Sequence, residues 1–213
     1  MDIYWYGQAC FKLKGKTASV IIDPFDPEFT GLKLPKDLEG QVVLSSHSHK
    51  DHNNTSAVLG ESLVISGPGE YEKAGIQITG IATFHDKVQG AERGSNTVFH
   101  ILMDNLNILH LGDLGHSLTE EQTSLIDEVD ILMVPVGGKY TVDAEEAAKI
   151  VAALEPKIVI PMHYSLPGLK SELSRVETFL KEMGTENMEP VSKLSITRDK
   201  LPEETTVVLL GKS

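Results

Sequence analysis

Leu44-Ser45-Ser46-His47-Ser48-His49-Lys50-Asp51-His52-Asn53-Asn54 places three histidines and an aspartate within six residues. Imidazole nitrogen and carboxylate oxygen are the side-chain donors that a borderline-soft divalent cation such as zinc takes. Core packing cannot satisfy four such groups so close together. The stretch follows Gln41–Leu44, a short apolar run that reads as a buried strand, and its polar residues read as a loop. Alternation along that loop aims His47, His49 and Asp51 into one space. His52 points elsewhere, which hints at two metals rather than one. The competing reading, a surface loop that picks up metal through composition alone, loses if further ligands lie at later strand ends.

Upstream, Ile3–Tyr6, Cys10–Lys14 and Thr17–Ile22 read as strands separated by tight turns at Gly7 and Gly15-Lys16. Asp23, at the end of the third run, is either a hydrogen-bond partner of a site histidine or a turn residue before Pro24. Pro24–Gly40 is an irregular connection. Downstream of the histidine loop the pattern gives a short helix at Thr55–Leu59, a strand at Leu63–Ile65, a turn at Gly67–Glu70 and a strand at Gly75–Phe84. Thr97–Met103 and Leu106–Leu111 follow, joined at Asp104-Asn105. Strands and helices then alternate: helix Glu120–Ile126 behind a capping box at Ser117–Glu120, strand Ile131–Val136, helix Asp143–Leu154, strand Lys157–Met162, and an amphipathic stretch Leu169–Met183. Leu194–Thr197 and Thr206–Leu210 close the chain as strands. Antiparallel-looking strands followed by βα alternation imply sheets with helices on their outer faces.

His85 directly follows the strand Gly75–Phe84, and a charged, glycine-containing loop follows it. Asp113 ends an apolar run behind Gly112, a residue that allows close backbone approach. His163 follows Ile158–Met162. Each sits at a strand end and is a candidate ligand, against the plainer readings of loop histidine or turn aspartate. His100 reads as a sheet residue, and His110 points to the opposite face from Asp113. His116, in the Gly112–Ser117 turn, is a candidate acid or oxyanion donor, or a solvated loop residue. The set then divides: His47, His49 and His85 around one ion, Asp51, His52 and His163 around a second, with Asp113 shared. Two ions about 3.5–4 Å apart hold a hydroxide between them and clamp an ester or phosphate group.

The chain is 213 residues long, which fits one domain spanning 1–213. Its formal charge of −12 argues against broad nucleic-acid binding, which needs a cationic surface. A small anionic substrate stays compatible, because metal ions supply local positive charge. The single cysteine, Cys10, excludes an internal disulfide. With no signal-like start and no membrane-length apolar run, the expectation is a cytoplasmic protein without membrane association.

His47-Ser48-His49-Lys50-Asp51-His52 matches the H-x-H-x-D-H motif, and the sequence resembles the metallo-β-lactamase-fold superfamily. His85, Asp113 and His163 fall in the order of that family's later histidine, bridging aspartate and final histidine. Ile22-Asp23-Pro24-Phe25, Phe84-His85, Gly112-Asp113 and Pro161-Met162-His163-Tyr164 are similar to the stand-alone metal-dependent hydrolases of the branch that includes L-ascorbate-6-phosphate lactonase. The resemblance runs from about Ile3 to Pro167. It implies an α+β fold, a four-layer αββα sandwich with the metal site at one edge between the sheets.

Departures from subfamily patterns narrow the field. The commonest zinc β-lactamases carry cysteine where Asp113 stands, flavodiiron reductases carry glutamate where His49 stands, and RNA-processing members add basic arms that this acidic chain lacks. The expectation is therefore a dinuclear hydrolase, with two divalent ions, zinc by default and manganese or iron as alternatives. Its substrate is a small-molecule ester, lactone or phosphoester. Asp51 orients the water and carries its proton, and Tyr164 and His116 are candidates for a further donor. Tyr140, behind Gly137-Gly138-Lys139, is a candidate for the pocket wall. A non-catalytic metal-binding or sensing protein, and a di-iron redox protein on the same fold, are the competing functional classes.

Overall fold

The computed structural model describes residues 1–213. In chain order the strands are β1 (Asp2–Gly7), β2 (Cys10–Lys14), β3 (Ser19–Ile22), β4 (Val42–Leu44), β5 (Leu63–Ile65), β6 (Gly69–Lys73) and β7 (Ile76–Phe84). They continue as β8 (Ser95–Met103), β9 (Leu106–His110), β10 (Ile131–Pro135), β11 (Ile158–Met162), β12 (Leu194–Ser195) and β13 (Thr206–Val207). The helices are α1 (Pro27–Thr30), α2 (Glu120–Ser124), α3 (Ala144–Leu154) and α4 (Val176–Glu182).

Two mixed sheets form, one ordered β12-β1-β2-β3-β4-β5 and the other β13-β11-β10-β9-β8-β7-β6. In the first, β1, β2 and β3 are antiparallel neighbours, and β3, β4 and β5 run parallel. In the second, β6 to β9 are antiparallel, and β9, β10, β11 and β13 run parallel.

Period-two alternation sorts the side chains of the first sheet. Ile3, Trp5, Phe11, Leu13, Val20, Ile22, Val42 and Leu44 enter the main core together with Val98, Phe99, Ile108, Leu132 and Ile160 of the second sheet. Tyr6, Cys10, Ile21 and Val43 belong to a separate cluster closed by Phe25, Leu32, Leu38 and Val58. That outer face is therefore covered by irregular chain. Its only helical pieces are the four-residue α1 and a 3-10 turn at Thr55–Ala57, in place of the expected helix to Leu59. Phe25 and Leu38 are almost fully buried there, and each such burial stabilises the cover by about 1.5–3 kcal/mol.

The outer face of the second sheet carries true helices. α3 starts where Asp143 and Glu146 form a reciprocal capping box, buries Ala147, Ile150 and Val151, and ends at Glu155 in a left-handed conformation before Pro156. α2 starts at a capping box formed by Thr119 and Gln122, two residues beyond the expected one.

Three further differences from the sequence expectation stand out. β6 is an extra edge strand, and its Gly-Glu-Tyr-Glu-Lys sequence is mostly exposed. Only Val176–Glu182 of the Leu169–Met183 stretch is helical. The chain before it is irregular and tied down by tertiary hydrogen bonds, Lys170 N–H donating to the Thr30 carbonyl and Ser174 N–H to that of Gly137. The closing strands β12 and β13 are each two residues long. No helix is long and apolar enough to cross a membrane.

Candidate metal centre

The parallel strands β3, β4 and β11, with β7 and β9, carry their following loops to one edge between the sheets. His47, His49, Asp51 and His52 follow β4, His85 follows β7, Asp113 follows β9, and His163 follows β11. The structure brings all seven together, as two groups whose ligand atoms lie within 4.8 Å of one another: His47, His49 and His85, and Asp51, His52, Asp113 and His163. Asp113 stands at the junction. Its Oδ2 is 3.2 Å from His52 Nε2, 3.2 Å from His85 Nε2, 3.4 Å from His163 Nε2 and 4.0 Å from His47 Nε2.

Backbone geometry makes these approaches possible. Gly112 has φ +56°, and a Cβ there would lie 2.4 Å from Asn96 Oδ1 and 2.7 Å from Ser46 Cβ. Asn96 Oδ1 accepts the Asp113 N–H, and Asn96 Nδ2 donates to Thr83 Oγ1 and the Leu111 carbonyl. Gly115 packs against the backbone of His85 and Asp86, 2.3 Å from Asp86 N to its absent Cβ, so the aspartate loop seats directly on the His85 loop. His163 itself has φ +52°, and its N–H donates to the Gln8 carbonyl. Such a conformation in a non-glycine residue costs about 1–3 kcal/mol, and the surrounding structure has to enforce it.

Asp23 organises the histidine loop from below. It is fully buried; Oδ1 accepts the Ser46 N–H, while Oδ2 accepts Ser46 Oγ and lies 2.8 Å from His52 Nδ1. Ser46 Oγ is also 2.9 Å from His47 Nδ1. A serine donating to Asp23 accepts from His47, so one carboxylate fixes the tautomers of two histidines and leaves both Nε2 atoms facing the cluster. The hydrogen-bonding alternative for Asp23 is the one realised.

Charge balance fits a cation. Burial, and then neighbouring His52, push the His47 imidazole down to about 3, so it stays neutral. Burial and His85 lower His49 in the same way. Burial opposes ionisation of Asp113 and Asp51, yet the adjoining imidazoles hold both below the usual carboxylate range. His52 moves the opposite way: burial disfavours its charge, but Asp113, Asp23 and Asp51 together raise it well above an ordinary histidine. Without a metal, a buried proton must balance these carboxylates, and a divalent cation satisfies them more fully.

The unpaired atoms agree. His52 Nε2 and Asp113 Oδ1 are buried without hydrogen-bond partners, and His47 Nε2 lies 3.0 Å from His49 Nδ1, nitrogen facing nitrogen. Bonds of about 2.0–2.2 Å to zinc bring ligand atoms to such separations. The residues present fit a metal.

A cavity of about 560 Å³ opens on this edge, and His49, Asp51, His85, Asp113 and His163 form its floor. Phe29, Ser48, Lys50, Arg93, Tyr140 and Ser171 complete the wall. Tyr140 takes the wall position that its place after Gly137-Gly138 suggests. Gln8 contributes beneath the floor: its Nε2 is 3.4 Å from Asp51 Oδ2 and 3.3 Å from His163 Nε2. Nothing in the sequence marks Gln8 beyond its place in the β1–β2 hairpin turn. Arg93, Phe29 and Ser171 were equally invisible, since they arrive from connecting segments.

Two expected donors are corrected by their placement. Tyr164 follows a ligand candidate but faces away; its ring packs 4.9 Å from Trp5 and lines a different cavity, behind the sheet edge. Burial raises its hydroxyl above the ordinary tyrosine value, which further opposes ionisation. His116 is tied down locally, its Nε2 accepting the Phe84 N–H and its Nδ1 lying 2.7 Å from the Ser117 carbonyl, and it does not line the metal cavity. His110, read as pointing to the opposite face from Asp113, is buried between the sheets against Ala9 and Phe11. His100 lies within β8, where its sequence context puts it.

Residues 2–163 match the family model described as beta-lactamase superfamily domain. A metal-dependent hydrolase of Thermoplasma acidophilum is 29% identical, with 87% of this chain and 93% of the relative covered. A protein of Pyrococcus abyssi is 30% identical over 82% of this chain and 91% of its own length. Among solved structures, a Thermotoga maritima protein described as a candidate Zn-dependent hydrolase of the metallo-beta-lactamase superfamily superimposes with a TM-score of 0.82 at 38% identity, covering 98% of this chain and 97% of that one. A metallo hydrolase of Ignicoccus hospitalis shares the fold at a TM-score of 0.65 and 19% identity, covering 91% of this chain and 97% of that one. With the motif, the two-sheet fold and these matches in hand, the chain belongs to the metallo-β-lactamase superfamily, in its stand-alone branch of metal-dependent hydrolases.

Proposed function

We propose that the protein hydrolyses a small-molecule ester, lactone or phosphoester at a centre of two divalent ions, zinc in the first instance. The observation that carries this reading is that both ligand groups meet at Asp113 and face one cavity. Its volume, about 560 Å³, lies in the range of about 300–1,000 Å³ usual for small-molecule sites. His47, His49 and His85 would hold one ion, Asp51, His52 and His163 the other, with Asp113 between them. When bound, the ions supply Lewis-acid polarisation of the scissile group and lower the pKa of water toward neutrality.

The chain's own residues do the rest. Asp51, ionised and partly open to the cavity, is placed to take a proton and pass it on toward a leaving group. Gln8 Nε2 restrains that carboxylate from below. Phe29 and Tyr140 offer aromatic wall against which the body of a substrate packs, and Ser48 and Ser171 offer hydroxyl donors.

A panel of lactone, carboxylic ester, phosphodiester, thioester and lactam substrates, offered to zinc-, manganese- and iron-loaded protein, tests the proposal. The expected result is metal-dependent turnover of at least one ester, lactone or phosphoester, reduced about 100-fold or more by Asp51→Asn. Turnover confined to thioester or lactam, or none at all in metal-replete protein, would overturn it.

A further inference from the structure

Two cations in the cavity wall have no use in the hydrolytic chemistry. The Arg93 guanidinium lies 4.4 Å from the centroid of the Tyr140 ring, and Lys50 stands between two ligand candidates on the same wall. Neither Arg93 nor Lys50 is paired with a protein carboxylate, so both charges stay available to a ligand in the cavity. The only acids lining the cavity are Asp51 and Asp113, which belong to the metal groups. In a chain with 31 acidic residues against 19 basic ones, a cavity wall whose remaining charges are all positive is a recognition feature.

Arg93 is also presented rigidly. The carboxylate of Asp86, directly after His85, accepts the backbone N–H groups of Val88, Gly90, Glu92 and Arg93 at 2.8–3.0 Å. His85 N–H donates to the Gly94 carbonyl at the loop's far end. Lys87 ties the loop to Glu146 in the first turn of α3. Stacking on an aromatic face leaves the edge of a guanidinium free, and that edge matches a carboxylate or phosphate with two parallel N–H donors.

We propose that Arg93, stacked on Tyr140 and seconded by Lys50, is a specificity-determining residue that receives an oxyanion, carboxylate or phosphate, carried by the substrate away from its scissile bond. The scissile end of this assignment rests on the hydrolase reading; the anionic end rests on the cavity wall alone.

Calorimetric titration of zinc-loaded protein separates the two. Butyrate carries one carboxylate for the metals; succinate, glutarate, adipate and pimelate add a second at increasing distance, and 4-phosphonobutyrate adds a phosphonate. At least one of the doubly anionic probes is expected to bind about tenfold or more tightly than butyrate, and its identity tells carboxylate from phosphate recognition. In Arg93→Gln, with zinc content unchanged, that advantage is expected to vanish. Lys149→Ala, which removes an exposed cation of α3 outside the cavity, should keep it. No advantage in the wild-type protein, an advantage that survives Arg93→Gln, or equal loss in Lys149→Ala would each overturn the assignment.

Parallel assays with p-nitrophenyl butyrate and mono-p-nitrophenyl glutarate read the same increment in KM, with kcat unchanged. Should neither ester be hydrolysed, that count falls against the hydrolase reading, while the titration still decides the anion site.

Discussion

Asp23 carries more of the centre than its position outside the ligand set suggests. It adopts φ +46° while fully buried, a conformation costing a non-glycine residue about 1–2 kcal/mol, and it is repaid by three charge-assisted contacts to Ser46 and His52. Asp23→Ala would leave those donors unpaired. The expected outcome is about 2–4 kcal/mol lost in denaturant unfolding of the metal-free protein, and metal affinity lower by about 10–100-fold in chelator competition. Undiminished affinity would mean that the tautomers of His47 and His52 are set by something else. Gly112→Ala meets Asn96 Oδ1 and Ser46 Cβ at 2.4 and 2.7 Å. It should destabilise by about 1–3 kcal/mol or more and reduce the metal content of purified protein, because Asp113 is displaced with its backbone.

At the scale of elements, the strand ends were legible and the cover was not. His85, Asp113 and His163 stand out in sequence because each terminates an apolar run. Tyr164 lies beyond the end of β11, after His163 at φ +52°, so its direction is set by that local backbone and not by strand alternation. β6 escaped notice because an exposed edge strand needs no apolar face, and its charges blunt edge pairing. The Leu169–Ser174 segment has helical periodicity in its sequence, but tertiary hydrogen bonds to Thr30 and Gly137 hold it in a non-helical course.

Two outcomes belong to this scale. Asp86→Ala removes the acceptor of four backbone N–H groups, so amide hydrogen exchange at Val88, Gly90, Glu92 and Arg93 should accelerate selectively while α3 stays protected. Unchanged exchange would show that the loop is held without the carboxylate. At the sheet edge, Asp2 fastens β12 through Ser195 Oγ at 2.6 Å and Lys193 Nζ at 2.8 Å. The hydrogen bonds from Lys193 and Ser195 depress its pKa below 3.8. A depressed carboxylate contributes stability above its unfolded pKa and loses it as pH falls through the folded value. Asp2→Ala, measured by urea unfolding, should therefore cost a few tenths to about 1 kcal/mol at pH 7, with the gap closing as pH falls below about 3.8.

Across the whole molecule, residues far apart in sequence meet because parallel strands of both sheets deliver their loops to one edge. The family and the seven clustered side chains were readable from the H-x-H-x-D-H motif and three later strand ends. Apart from Tyr140, the cavity wall was not readable, because Phe29, Arg93 and Ser171 come from separate connections whose placement depends on packing. Placing four imidazoles around one buried carboxylate oxygen makes the metal part of the fold's stability. Ligand binding to the native state alone adds about 2.7 kcal/mol at a free concentration of 100 Kd, so stripping metal should lower the melting temperature, and readdition should restore it.

The claim on which the rest depends is that these side chains hold two ions joined at Asp113. Elemental analysis of metal bound per chain after extensive dialysis tests it most directly. Close to two ions are expected in the wild-type protein, about one in His49→Ala and fewer than one in Asp113→Ala. One ion or fewer in zinc-replete wild-type protein, or a content that neither substitution changes, would contradict it.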